Sequence, residues 1–435
     1  MKRLLKITLF AVLCIVIAAF ALVLVLQTYL TQPDMIEKIR LTCSRAVGGE
    51  VQFSELRVKL LRGIEASDVT ISAAPDEESP FLTIDAIELR YLPWKLLFKE
   101  LDFKIVRFHR PHLIFRENQD GDWDLAEGGP AMEPLTFDSG PVTFDVVLRQ
   151  LEISDGTVSV STRTRDQLLH AQGIQVKGQL KRIPAGITAS GQLEVASLFF
   201  YESLRFRSVS SRMDYRNDRL VIESMEGSAY DGTLLGNGRI EFGVDAPTFL
   251  YDIQLDGLHL PPFLVDLGAP PDIVTGTLDL DCQIQGTLEQ PDRLQGTGTF
   301  TVSDASLRDS TLVAGIAQTL GLEALRTLDY PEMRAEFKLA DRQCTLYRLE
   351  GRAHNLRFTG GGTVDTDRRI NLDVLLQLSP ELSQTLTDPV RSSFPTDTEG
   401  NTPISFKVTG TLKDPETNID RIIQEKSALP ESPAP

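Results

Sequence analysis

From residue 51 onward, apolar side chains recur at every second position over much of the chain. Val142, Phe144, Val146 and Leu148 alternate with Thr143, Asp145, Val147 and Arg149. Phe249, Tyr251, Ile253 and Leu255 alternate with Leu250, Asp252, Gln254 and Asp256. Leu278, Leu280, Cys282 and Ile284 form a third such series. Ile370, Leu372, Val374, Leu376 and Leu378 form a fourth, and Ile404, Phe406 and Val408 a fifth. Successive side chains of a strand point to opposite faces, so each segment has one greasy and one wet face. Wet outer faces predict antiparallel strands rather than a parallel sheet covered by helices on both sides. Gly-Thr followed by an apolar residue occurs at Gly156, Gly232, Gly276, Gly286, Gly362 and Gly410. The decade spacing of Gly276, Gly286 and Gly296 predicts strand-plus-turn units, as in a meander. It lacks the fixed consensus of a solenoid repeat.

Four segments depart from this period. Residues 33–47 predict a short helix. Pro33 suits a first-turn position, Asp34 and Glu37 lie near the positive end, and Gly48-Gly49 stops it. Residues 311–328 place Leu312, Val313, Ile316, Ala317, Leu320, Leu325 and Leu328 at helical spacing, with Pro331 beyond. This helix either plugs an apolar groove or simply covers a sheet face. Residues 379–394 read as a weaker helix or as a loop interrupted by Pro389. Residues 426–435, rich in Pro, Ser and Ala, predict a disordered tail.

At the N-terminus, residues 7–26 hold one polar side chain, Thr8. A helix of that length is about 30 Å long, enough to cross the hydrocarbon layer. Lys2, Arg3 and Lys6 precede it, and no further basic residue occurs before Lys38. The positive-inside rule then keeps the N-terminus cytoplasmic and exports the rest. A cleaved signal peptide is the competing reading, but Gln27, Thr28 and Tyr29 make a poor cleavage site.

Composition narrows the chemistry. Asp and Glu outnumber Lys and Arg by 61 to 44, a net charge of −17, which argues against nucleic acid as a partner. The cysteines at 14, 43, 282 and 344 form neither a CxxC nor a disulfide ladder, although Cys282 and Cys344 could pair in an oxidising compartment. His109 and His112 flank Arg110-Pro111, which favours a strand edge over a metal site. Asn118, Asp120, Asp122 and Asp124 around Gly121 fit a hairpin turn better than a calcium loop, because the closing Glu is missing. Gly360-Gly361-Gly362 reads as a turn with no helix behind it to cradle phosphate. No GxSxG elbow is present. Trp94 and Trp123 stand alone, as interfacial or packing residues. No catalytic residue, cofactor or metal is expected.

Residues 110–125 read RPHLIFRENQDGDWDL and residues 402–420 read TPISFKVTGTLKDPETNID. Residues 276–300 read GTLDLDCQIQGTLEQPDRLQGTGTF, followed by the 311–328 helix. Together with the apolar N-terminal run, these segments resemble the AsmA family of envelope proteins of Gram-negative bacteria. Asp124 stands where the family's Trp-Asn-Leu pattern has Asn. The resemblance implies a long, strongly curved β-sheet with an apolar inner surface, anchored in the inner membrane. It further implies a role in outer-membrane biogenesis, with phospholipid movement through the groove.

The expected architecture is therefore mainly β: a transmembrane helix, then an elongated, curved antiparallel β-sheet groove with a few short helices. Its parts are an anchor (1–30), a short helix (31–50), two stretches of groove (51–270 and 271–425) and the tail (426–435). Leu278, Leu280, Ile284, Ile370, Leu372, Val374, Leu376, Ile404, Phe406 and Val408 are the expected lining. Some of these are expected to pack beneath the 311–328 helix. Expected partners are phospholipid acyl chains, the inner membrane, and outer-membrane or periplasmic proteins. With strands about 4.8 Å apart, some 20–25 of them would make a trough on the order of 100 Å long. Alternation alone, without the resemblance, favours an ordinary closed sandwich. Two other functions stay open: an assembly factor for outer-membrane proteins that carries no lipid, and a structural tether.

Overall fold

The computed structural model describes residues 33–427, apart from 48, 60–62, 73–79, 99, 118–135, 139–142, 164, 184–185, 202, 243–246, 271–273, 288–289, 291–292 and 309–310. The expected anchor, the Asn118–Asp124 turn, Trp123 and residues 428–435 lie outside these. Among the described residues no helix is long and apolar enough to cross a membrane. The chain forms two compact units. One runs to residue 202 and includes 212–217; the other comprises 203–211 and everything from 218. Position 270, the expected divide of the β region, falls inside the second unit.

The first unit opens with helix α1 (Pro33–Val47), as its sequence predicts. The Val51 N–H donates to Ser44 Oγ at 2.9 Å, and the Gly49 N–H to the Ser44 carbonyl at 3.2 Å, which folds the helix back onto the sheet. Cys43 thereby packs on a core of Val51, Val69, Ile71 and Ile84. The strands are β1 (Glu50–Gln52), β2 (Glu55–Lys59), β3 (Gly63–Ser72), β4 (Leu82–Tyr91), β5 (Glu100–Arg116), β6 (Thr136–Asp138), β7 (Thr143–Leu148), β8 (Gln150–Thr162), β9 (Arg165–Ile183) and β10 (Gly186–Phe200). β1 and β2 lie end to end along β3. From β3 to β5, and from β8 to β10, neighbours are antiparallel.

β5 departs from expectation, since it runs parallel to β7 and β8, from Glu100 opposite Asp145 to Arg116 opposite Ser161. Parallel neighbours need a crossover of about a dozen residues or more, and residues 117–142 are long enough to supply it. The pairing is pinned by Arg149, whose guanidinium donates to both oxygens of Asp102, at 2.7 and 2.5 Å. The Asp102 side chain is 1% exposed. The hydrogen bonds from Arg149 hold its carboxyl below the usual carboxylate range. His109 lies inside the sheet, between Ala86 of β4 and Ser154 of β8, not at an edge. Pro111 is tolerated there because the ladder skips at Arg110, whose φ is 48°.

Strand β11 (Leu204–Arg216) contributes residues to both units. The second unit continues with β12 (Arg219–Ala229), β13 (Gly232–Glu241), β14 (Thr248–His259), β15 (Val274–Thr287), β16 (Gln295–Arg308), β17 (Thr327–Ala340), β18 (Gln343–Arg352), β19 (Leu356–Asp365), β20 (Ile370–Leu378), β21 (Thr402–Gly410) and β22 (Pro415–Thr417). From β12 to β22 each strand pairs antiparallel with the next, an open meander. Gly276 and Gly286 both lie within β15, so the decade spacing does not mark successive turns. Gly360, Gly361 and Gly362 lie inside β19 rather than in a turn. A Cβ on them would stand 2.6, 2.9 and 2.1 Å from the carbonyl oxygens of Asp373, Leu346 and Asn371. These glycines serve close backbone approach.

The helices differ from expectation at their ends. They are α2 (Leu260–Asp266), α3 (Thr311–Leu320), α4 (Pro380–Ser383), α5 (Asp388–Ser393) and α6 (Ile419–Ser427). The expected 311–328 helix stops at Leu320, because Gly321 turns left-handed at φ 70°. A 3₁₀ turn (Glu323–Arg326) follows, and Leu328 belongs to β17. Pro331 sits within β17 opposite Asp304 (φ 52°), where the ladder skips a pair. Residues 379–394 form two short helices, with Pro389 in the first turn of α5. Lys426 belongs to α6 rather than to a tail. Its Nζ donates to the Ser393 carbonyl at 2.9 Å and lies 4.6 Å from the centre of the Phe394 ring.

Candidate functional site

The register of the second unit aligns its apolar residues into rows that cross many strands. One row runs Ile253, Cys282, Gly298, Phe337, Leu346, Gly362, Leu372, Val408. A second runs Tyr251, Ile284, Gly296, Leu339, Cys344, Val364, Ile370. A third runs Leu278, Val302, Met333, Gly351, Phe358, Leu376, Ile404. All ten expected lining residues therefore lie on one face of one sheet. That face also holds residues the sequence did not single out, notably Phe300, Phe337, Leu339 and Leu346. In β18 the alternation is broken, because the register shifts place an extra residue between Leu346 and Leu349. The other face is wet. Lys407 Nζ reaches Asp373 at 2.8 Å, Gln283 donates to Asp252 at 2.8 Å, and Arg348 to Glu336 at 3.0 Å.

Burial divides the apolar face in two. Leu278, Ile370, Leu376, Ile404, Phe406 and Val408 are buried, whereas Leu280, Ile284, Leu372 and Val374 are half-buried. Along β21, Thr402, Ile404, Phe406 and Val408 are all covered while the residues between them are exposed. The covering comes from helices: α6 packs on β21, α3 on α6 and β22, and α4 on β20. Leu320, Leu378, Ile404 and Ile419 have no exposed surface. The face thus ends in a sealed helical cap at β21, and it stays partly accessible along its middle rows. Bulges at Gly257, Asp304 (opposite Gly276) and Arg348 recur along the sheet. Each bulge bends its strand and raises its local twist.

The face offers a solvent-like apolar surface rather than a reactive centre. Burial pushes the thiols of Cys282 and Cys344 up to about 11, so both stay protonated and act as small apolar groups. Both are free, like Cys43. The register sets Cys282 and Cys344 three strand spacings apart, about 14 Å, beyond the reach of a disulfide.

In the first unit, Ser154 Oγ lies 2.9 Å from His109 Nδ1, and Glu88 Oε1 lies 3.6 Å from His109 Nε2. Ser154 sits in mid-strand, not on the strand-to-helix elbow that exposes a nucleophile. No cluster of three metal-ligating side chains occurs among the described residues. Comparison with family models, with curated proteins and with solved structures finds no match to this chain.

Proposed function

We propose that this chain is an AsmA-type carrier, anchored in the inner membrane, that shields phospholipid acyl chains along an elongated, curved apolar groove on their way to the outer membrane. The observation that carries the reading is the set of half-buried positions Leu280, Ile284, Leu372 and Val374, aligned across strands on one face. Exposing an acyl chain to water costs about 0.8 kcal/mol per CH₂. A continuous apolar face removes much of that cost while the headgroup stays hydrated at a rim. Many similar rows suit sliding better than one deep pocket, because no single position traps the chain. The carrier forms and breaks no covalent bond; it lowers the barrier to crossing an aqueous gap. The sequence resemblance and the apolar run 7–26 support the envelope location.

Mass spectrometry of the full chain after gentle detergent extraction tests the reading. Phospholipid retained in stoichiometric amount is expected, and it should fall sharply in a Leu280→Asp, Leu372→Asp variant that still folds. A chain that retains no lipid, yet co-purifies with outer-membrane protein precursors, would favour the assembly-factor reading.

A further inference from the structure

The first unit carries a second feature that the carrier reading leaves unused. The 3₁₀ turn Pro93–Phe98 joins β4 to β5 and exposes two of the largest apolar side chains, Trp94 (57% exposed) and Phe98 (74%). Backbone pairing places this turn at one rim of the sheet. Lys59 pairs with Gly63 and Ile64 with Leu89, so the end of β2 and the start of β3 lie beside the end of β4. Tyr91 pairs with Phe103, the Arg149 N–H donates to the Phe103 carbonyl, and the Leu180 N–H donates to the Arg149 carbonyl. Lys181, exposed at the end of β9, therefore belongs to the same rim. Lys95 lies between the two aromatic residues in sequence. β7 also reaches this rim, with Asp145 opposite Glu100, so the rim is mixed in charge.

We propose that this rim docks on a phospholipid bilayer, with Trp94 and Phe98 entering the headgroup–acyl boundary and Lys95 and Lys181 meeting lipid phosphates. Indole and phenyl rings flanked by lysines are the side chains that settle at that depth. Isolated exposed apolar residues are ordinary, but here a six-residue turn presents Trp94 and Phe98 together. The chain outside the described residues supports the same occupant. Its apolar run 7–26 ends just before α1, which belongs to this unit. Residues 27–32 can span at most about 20 Å. Docking goes beyond the carrier reading and holds equally for a protein that carries no lipid.

The chain has two tryptophans, Trp94 and Trp123, so Trp123→Phe leaves Trp94 as the sole indole. The test reconstitutes that full-length variant in vesicles of phosphatidylcholine and phosphatidylglycerol carrying lipids brominated near the headgroup. Blue-shifted Trp94 emission, quenched at least twofold by bromine, is the expected result. Adding Phe98→Asp should reduce the quenching without moving the unfolding midpoint, since that side chain is exposed. Water-like, unquenched emission would overturn the proposal. A blue shift without quenching would overturn it too, because it would mean that protein, not lipid, covers the turn.

Discussion

At Thr402 a hydroxyl is sealed inside the second unit with no hydrogen-bond partner for its Oγ1, opposite Leu378 in the ladder. A buried unsatisfied polar group costs about 1–3 kcal/mol, and an apolar group of the same shape removes that cost. Thr402→Val should therefore stabilise the protein by about 1 kcal/mol, read as a higher denaturant midpoint with an unchanged slope. Asp102 is the opposite case, a buried carboxylate met by both arms of Arg149. Asp102→Asn should cost about 2 kcal/mol, with the loss confined to the unfolding of the first unit. The folded carboxyl is held below its ordinary value of 3.8, so the pair's contribution is complete above that pH and fades as pH falls through the lower, folded value. Acid titration of the wild-type and Asp102→Asn proteins should show their stabilities converging well below pH 4.

Elements whose alternation is unbroken were the legible ones. β20 and β21 read correctly from sequence because each buries one side of an uninterrupted period of two. β18 is hidden because a bulge between Leu346 and Leu349 transfers its apolar series to the other parity, and β17 because Pro331 looks like a helix stop. The parallel partnership of β5 with β8 leaves no local trace, since it depends on where a distant segment returns. The end of α3 was marked by Gly321, but Leu325 and Leu328 keep the helical spacing past it and hide the break. On the candidate face, the alternation places the ten expected lining positions on one side of the sheet. The division between covered and accessible members was not legible, because it depends on which helices fold back over β21. Leu320, fully buried at the end of α3, holds that cap together. Leu320→Ala should destabilise the second unit by about 3 kcal/mol, measured by chemical denaturation, and should raise hydrogen exchange in α3 and α6 ahead of β15 and β16.

For the whole molecule, the central claim is that one face of the second unit touches lipid and the other touches water. Leu372 and Leu375 separate these possibilities within a single strand. Leu372 lies in the apolar row between Gly362 and Val408, whereas Leu375 points to the opposite face and is 39% exposed. The two positions lie three residues apart on β20, on opposite faces of the sheet. The most direct measurement places a benzophenone amino acid at each position in the full-length protein in cells, followed by irradiation and intact-mass analysis. The account predicts an adduct of phospholipid mass at position 372 and none at 375. Protein adducts alone at 372, or equal lipid labelling at both positions, would contradict it.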